Sequence, residues 1–150
     1  MGLMYDYLEG GGMVRTIDTI QVGESASMTK TVTETDVVLF AGISGDFNPA
    51  HIDEESAKQS MFGKRIAHGM LSVGFISAVL GTKLPGPGSI YVGQEIKFTK
   101  PVFIGDTVTA TATVTEANVE KNRVTLDTIV TNQDGDVVIK GVATLMPPKK

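Results

Sequence analysis

The sequence predicts an α+β fold in which one long apolar helix is wrapped by an antiparallel sheet. Three observations predict it. Met70 to Leu80 is apolar on nearly every side. The chain after Ser89 alternates apolar and polar or small residues in four runs separated by turn formers. Ahead of these lie one short strand-like run and a helical stretch. Strand, helices and then a run of strands is the element order of an α+β domain.

Taken in order, Met1 to Met13 contains Gly10-Gly11-Gly12 and reads as a flexible leader. The expected organisation is a leader over 1–15 and a single domain over 16–150. Ile17 to Ser27 predicts an entry strand with a turn near Gly23. Thr33 offers a helix N-cap, with Asp36 at the third helical position favouring the positive helix end. The helix over Val37 to Ile43 should stop near Ser44-Gly45. Asp53 caps a short helix reaching Lys58, and Gly63-Lys64-Arg65 forms a loop. A second helix starts at His68 or Gly69 and runs to about Gly81. Its near-total lack of a polar face predicts a helix surrounded by protein. Leu84-Pro85-Gly86-Pro87-Gly88 ends it. Strands follow over Ser89 to Thr99, Thr107 to Thr115, Arg123 to Thr131 and Val137 to Leu145. Gly105-Asp106 and the segment 132–136 supply turns, so these strands read as a long antiparallel meander.

Composition narrows the function. The chain has 150 residues, a net charge of −4 and no cysteine. No basic stripe suggests nucleic acid as a partner. Disulfides, thiolate catalysis and cysteine-based metal sites are excluded. That agrees with a cytoplasmic location, which is the expectation. The apolar run over 70–80 falls short of the roughly 20 residues a membrane helix needs, and the N-terminal residues lack the pattern of a secretory signal.

Chemistry concentrates in Gly45-Asp46-Phe47-Asn48-Pro49-Ala50-His51. Pro49 lacks an N–H and pushes Asn48 out of the helical region. Asp46 and His51 therefore fall on an irregular turn, where they can converge on one water as an acid/base pair. The same residues also suit a plain Asx turn, and the turn by itself names no reaction. His68-Gly69 is the second feature. Gly69 opens the apolar helix, where N–H groups lack partners and partial positive charge collects. A carbonyl oxygen aimed at that N–H would be polarised. A glycine that permits tight packing is the competing explanation, and His68 reads as structural. Ser77, inside the apolar helix, is expected to be buried. It either bonds the carbonyl one turn back or supports Asp46. No metal site is indicated, because the two histidines lack ligand spacing. No phosphate-binding loop, dinucleotide fingerprint or serine elbow is present either.

Together these motifs resemble MaoC-like (R)-specific enoyl-CoA hydratases. Ser44 to His51 resembles the hydratase motif of that family, and Arg65 to Leu71 the start of its central helix. Leu84 to Tyr91 resembles the loop and strand after the helix, and Phe98 to Asp106 the next strand and turn. The likeness spans roughly Val22 to Pro147.

The resemblance implies a hotdog fold and a homodimer joined edge to edge, with higher assembly left open. It also implies reversible syn addition of water to a trans-2-enoyl-CoA, giving the (R)-3-hydroxyacyl-CoA. Asp46 and His51 would hold the water, the Gly69 N–H would bind the thioester oxygen, Asn48 would fix the turn and Ser77 would support Asp46. Short acyl chains such as crotonyl-CoA are the expected substrates. No metal or redox cofactor is needed for such a step. The alternatives are a dehydratase acting on acyl-ACP, a related thioesterase, or a non-catalytic acyl-thioester-binding module. The thioesterase is disfavoured because 70–80 contains no acid. Arg65, Lys97 and Lys100 are the basic candidates for the adenosine phosphates.

Overall fold

A computed structural model describes residues 14–150 of the chain. Apart from Val14 and Arg15, the leader expected over 1–15 lies outside the described residues.

The entry segment differs from the sequence expectation. Ile17–Thr19 is a short 3-10 turn, and strand β1 spans only Ser25–Thr31. A helical turn places Ile17 and Ile20 on one side, and both are buried in the core. Arg15 closes the segment by a two-pronged contact with Glu24, at 2.9 and 3.0 Å. A contact nine residues apart outweighs the strand preference of the isoleucines.

Helix α1, Glu34–Ser44, has the predicted boundaries. The Asp36 N–H donates to Thr33 Oγ1 at 3.1 Å, and the Thr33 N–H donates to Asp36 Oδ2 at 2.9 Å. This is a reciprocal capping box. Gly45 ends the helix in the left-handed region with φ 80°. Two short helices follow, α2 at Pro49–Ile52 and α3 at Glu54–Lys58. Asp53 caps the second through the Ser56 N–H at 3.0 Å.

Helix α4, Gly69–Thr82, lies in the hollow of a five-stranded antiparallel sheet. The remaining strands are β2 (Ile90–Phe98), β3 (Thr107–Asn118), β4 (Arg123–Thr131) and β5 (Val137–Met146). Their spatial order is β1-β3-β4-β5-β2. The predicted meander holds for β3, β4 and β5, whereas β2 pairs with β5 and forms an edge of the sheet. Val73, Ile76, Val79 and Leu80 of α4 share one core with Val108, Ala110, Ala112 and Val114 of β3. Small alanines at the centre of β3 allow a helix to approach the sheet closely. A long helix cradled by a curved antiparallel sheet is the hotdog arrangement.

α4 is not enclosed as the sequence suggests. Met70, Gly74 and Ser77 recur at helical spacing and are exposed, Met70 by 56%. A helix with no polar face carries no mark of which side packs, so its uncovered stripe is invisible in the sequence.

Candidate active site

The turn after α1 is built by successive side-chain-to-backbone bonds. Ser44 Oγ accepts the Asp46 N–H at 3.1 Å. Asp46 Oδ1 accepts the Asn48 N–H at 3.1 Å, and Asn48 Oδ1 accepts the Ala50 N–H at 3.0 Å. Asn48 is thereby the N-cap of α2, with Pro49 at its first helical position. The Asx-turn reading and the acid/base reading are thus compatible. Asp46 spends one oxygen on the turn and turns the other, Oδ2, toward His51 Nε2 at 3.9 Å.

His51 is buried and its protonation pattern follows from its partner. Its Nδ1 lies 2.7 Å from the Ile66 carbonyl oxygen. A carbonyl only accepts, so Nδ1 carries a hydrogen, and in the neutral ring Nε2 is then the nitrogen with the lone pair. The Ile66 segment is itself fixed: its N–H donates to the Ala50 carbonyl at 3.1 Å, and the Ala67 N–H donates to the Val102 carbonyl at 2.7 Å. A gap of 3.9 Å is too wide for a direct hydrogen bond. It accepts one water oxygen at about 2.8 Å from both groups.

Gly69 opens α4, and its N–H has no acceptor among the described residues. His51 and Gly69 line one cavity of about 480 Å³, whose walls include Phe62, Met70, Phe98 and Ile139. His51 and the helix start therefore meet at one hollow, while Asp46 stands outside its lining and is tied to it only through the 3.9 Å approach to His51. Phe98 explains why position 69 lacks a side chain: a β-carbon there would lie 2.5 Å from a Phe98 ring carbon. Tight packing and an available N–H hold together at Gly69.

Ser77 departs from the expectation. It lies on the exposed stripe of α4 and makes no hydrogen bond to Asp46 among the described residues. The buried hydroxyl of this helix is Ser72, whose Oγ has no partner among the described residues. The basic candidates separate too. Arg65 is held by Glu54 at 2.7 Å and by both oxygens of Glu34 at 2.9 and 2.5 Å, so its charge is engaged within the fold. Those carboxylates hold its guanidinium even above its ordinary range. Lys97 lines a different hollow, on β2, β4 and β5. Lys100 lines the cavity that His51 and Gly69 share.

His68 is the residue that sequence reasoning undervalued. Its ring lies 3.9 Å from the His51 ring and 4.8 Å from Phe40, centroid to centroid. Its Nε2 lies 2.9 Å from the Asp46 carbonyl oxygen. Its adjacency to Gly69 was the available signal. Asp46, His51 and His68 offer ligand atoms within 4.8 Å of one another. Stacked rings aim their in-plane lone pairs in similar directions, whereas an ion needs them to converge at about 2.1 Å. One nitrogen of each ring already faces a carbonyl. The donor set suits a hydrogen-bonded water better than a metal ion.

No helix among the described residues is long and apolar enough to cross a membrane. The description MaoC like domain matches residues 15–134. The chain is 59% identical over 133 residues to an (R)-specific enoyl-CoA hydratase of Rhodospirillum rubrum, covering 89% of this chain and 92% of that protein. The fold is similar to R-hydratase PhaJ1 from Pseudomonas aeruginosa, with a TM-score of 0.84, 45% identity, and coverage of 90% of this chain and 86% of that one. It is equally similar to the (R)-hydratase from Aeromonas caviae, with a TM-score of 0.84, 41% identity, and coverage of 87% and 98%. By fold, by motif and by relatedness along most of its length, the chain belongs to the MaoC-like family.

Proposed function

We propose that this chain is an (R)-specific enoyl-CoA hydratase, a hydro-lyase that reversibly adds water in the syn sense to trans-2-enoyl-CoA. The product is the (R)-3-hydroxyacyl-CoA, and short substrates such as crotonyl-CoA are the preferred class. One observation carries this reading: a carboxylate and an imidazole nitrogen set 3.9 Å apart, with that imidazole and Gly69, whose N–H has no acceptor among the described residues, lining one apolar cavity.

In this reading Asp46 Oδ2 and His51 Nε2 hold the water. His51 takes a proton as the oxygen bonds to C3, and electrons shift to the thioester oxygen. The Gly69 N–H receives that enolate charge, assisted by the partial positive end of α4. The proton held on His51 then passes to C2, so water is added with no net gain or loss of protons. Asn48 keeps the turn in register. Lys100, which lines the cavity and pairs with Asp136 at 3.3 Å, would exchange that exposed pairing for a phosphate of the carrier.

The assembly proposed is a homodimer. β2 is an edge strand with Ile90 55% and Val92 50% exposed, and the Met70–Gly74–Ser77 stripe of α4 is open in a single chain. Pairing two β2 edges would satisfy strand groups left open and shield these surfaces.

The test is to incubate the protein with crotonyl-CoA and determine the configuration of the product. Formation of (R)-3-hydroxybutyryl-CoA supports the reading, and an inert protein or an (S) product overturns it. Parallel assays with the acyl-ACP substrate decide the carrier.

A further inference from the structure

We propose that His68 is a positioning residue that locks the water-holding half of the site to its oxyanion half, an inference that rests on the hydratase reading above. The side chain is 2% exposed and does not line the cavity, so it acts through its neighbours. Its backbone leads directly into the Gly69 peptide, whose N–H is the donor assigned to the thioester in that reading. Its ring reaches back to the Asp46 turn and to His51.

The hydrogen bonds of Asp46 show why this matters. Asp46 makes three among the described residues. Two stay within 44–48 and move with the turn. The third, from His68 Nε2–H to the Asp46 carbonyl at 2.9 Å, ties that turn to the start of α4. The Asp46 side chain is itself half exposed, so packing alone does not fix its distance to Gly69.

A histidine meets both demands of the position. A flat ring is needed to fill the slot between Phe40 and His51, and a donor is needed at its edge. In the neutral ring, donation by Nε2 leaves Nδ1 bare, buried and without a partner among the described residues. A buried unpartnered nitrogen is unfavourable, and an apolar ring would avoid it. The geometry therefore assigns the imidazole to what Nε2–H holds rather than to packing.

The experiment measures kcat, KM and the thermal midpoint for crotonyl-CoA hydration by the wild type, His68→Phe and His68→Gln. His68→Phe keeps a ring and loses the donor, while His68→Gln keeps a donor and loses the ring. The expected result for His68→Phe is a kcat lower by about tenfold to a hundredfold, the scale of a small misplacement of catalytic groups. Its KM stays within about twofold and its midpoint does not fall, which marks an effect confined to the transition state. His68→Gln recovers part of kcat despite poorer packing. On an Asp46→Asn background His68→Phe adds little further loss, because both act through one group. Near-wild-type kcat in His68→Phe, a loss confined to KM, or a poorer kcat in His68→Gln than in His68→Phe overturns the proposal. If His68→Phe does not fold, kcat of His68→Gln close to wild type supports it, and loss comparable to Asp46→Asn overturns it. An inactive wild type strikes the hydratase reading instead. Crystal structures of the wild type and His68→Phe then decide the positioning claim, which fails if Asp46 keeps its place relative to Gly69.

Discussion

The ring of Phe98 occupies the place that a β-carbon on Gly69 would take, with ring carbons 2.5 and 2.7 Å from it. Phe98 ends an edge strand and is half exposed, so its ring is free to swing away. Gly69→Ala should therefore fold with a thermal midpoint within a few degrees, about what a sub-kcal/mol change produces. The alanine still carries its N–H, but the ring it displaces is part of the cavity wall, so the cavity changes shape. Hydration should fall at least about tenfold, and Phe98→Ala added to Gly69→Ala should restore part of it. Rates and melting curves of the single and double variants check this. Unchanged activity in Gly69→Ala would remove the steric argument for glycine.

Asp46 and His51 separate from the turn they stabilise when charge and shape are varied independently. Asp46→Asn keeps the acceptor for the Asn48 N–H and removes the carboxylate facing His51. It should lower hydration about a hundredfold, the usual scale of a general acid–base group, with little loss of stability. His51→Ala should lower activity to a similar extent and also release the Ile66 carbonyl. Steady-state rates with crotonyl-CoA, beside melting curves, test both. Wild-type turnover in either variant would sink the assignment.

Local chemistry was legible and long-range geometry was not. The limits of α1 follow from Thr33, Asp36 and Gly45, which act within one turn of the residues they cap. The segment Arg123–Thr131 reads correctly as β4 because alternation is a property of neighbours. The break that holds Asp46 follows from Asn48 and Pro49, although His51 falls inside the short helix α2 that Pro49 opens rather than on the turn itself. By contrast, the 3-10 turn at Ile17 depends on Arg15 reaching Glu24, and the position of β2 depends on a partner strand far along the chain. Ser77 was placed inside and Ser72 overlooked because an all-apolar helix has no polar face to set its phase. Likewise, adjacency to Gly69 marks His68 as near the site, but a neighbour in sequence does not tell that its ring meets Asp46, 22 residues earlier.

Acid should weaken the fold through the α1 cap. Lys30 beside Asp36, together with the Thr33 N–H, holds the Asp36 carboxyl below its ordinary value of 3.8. A group whose folded value is depressed binds protons more readily when unfolded. Its stabilisation is therefore complete well above 3.8 and disappears as pH falls through the folded value. Urea midpoints measured downward from pH 6 should fall through the carboxylate range. Asp36→Asn should lower the midpoint at pH 6 and make the decline shallower. An equally steep decline in Asp36→Asn would show that other carboxylates carry it.

The edge of β2 provides the last test. Val92 lies at the irregularity between Tyr91 and Gly93 and is 50% exposed at the sheet edge. A lysine there would place like charges together across a two-fold axis and oppose edge pairing, as charged edge residues do in native sheets. The wild type should elute at twice the 15.9 kDa chain mass, and Val92→Lys should shift toward the single chain. The separated chain exposes the Met70–Gly74–Ser77 stripe, so it should bind a hydrophobic dye more strongly and lose stability on dilution. Size-exclusion chromatography with light scattering reads the first effect, and dye fluorescence with melting curves at several concentrations reads the second. A wild type that elutes as a single chain at micromolar concentration would refute the dimer. If Val92→Lys remains dimeric, the two copies meet on a surface other than β2.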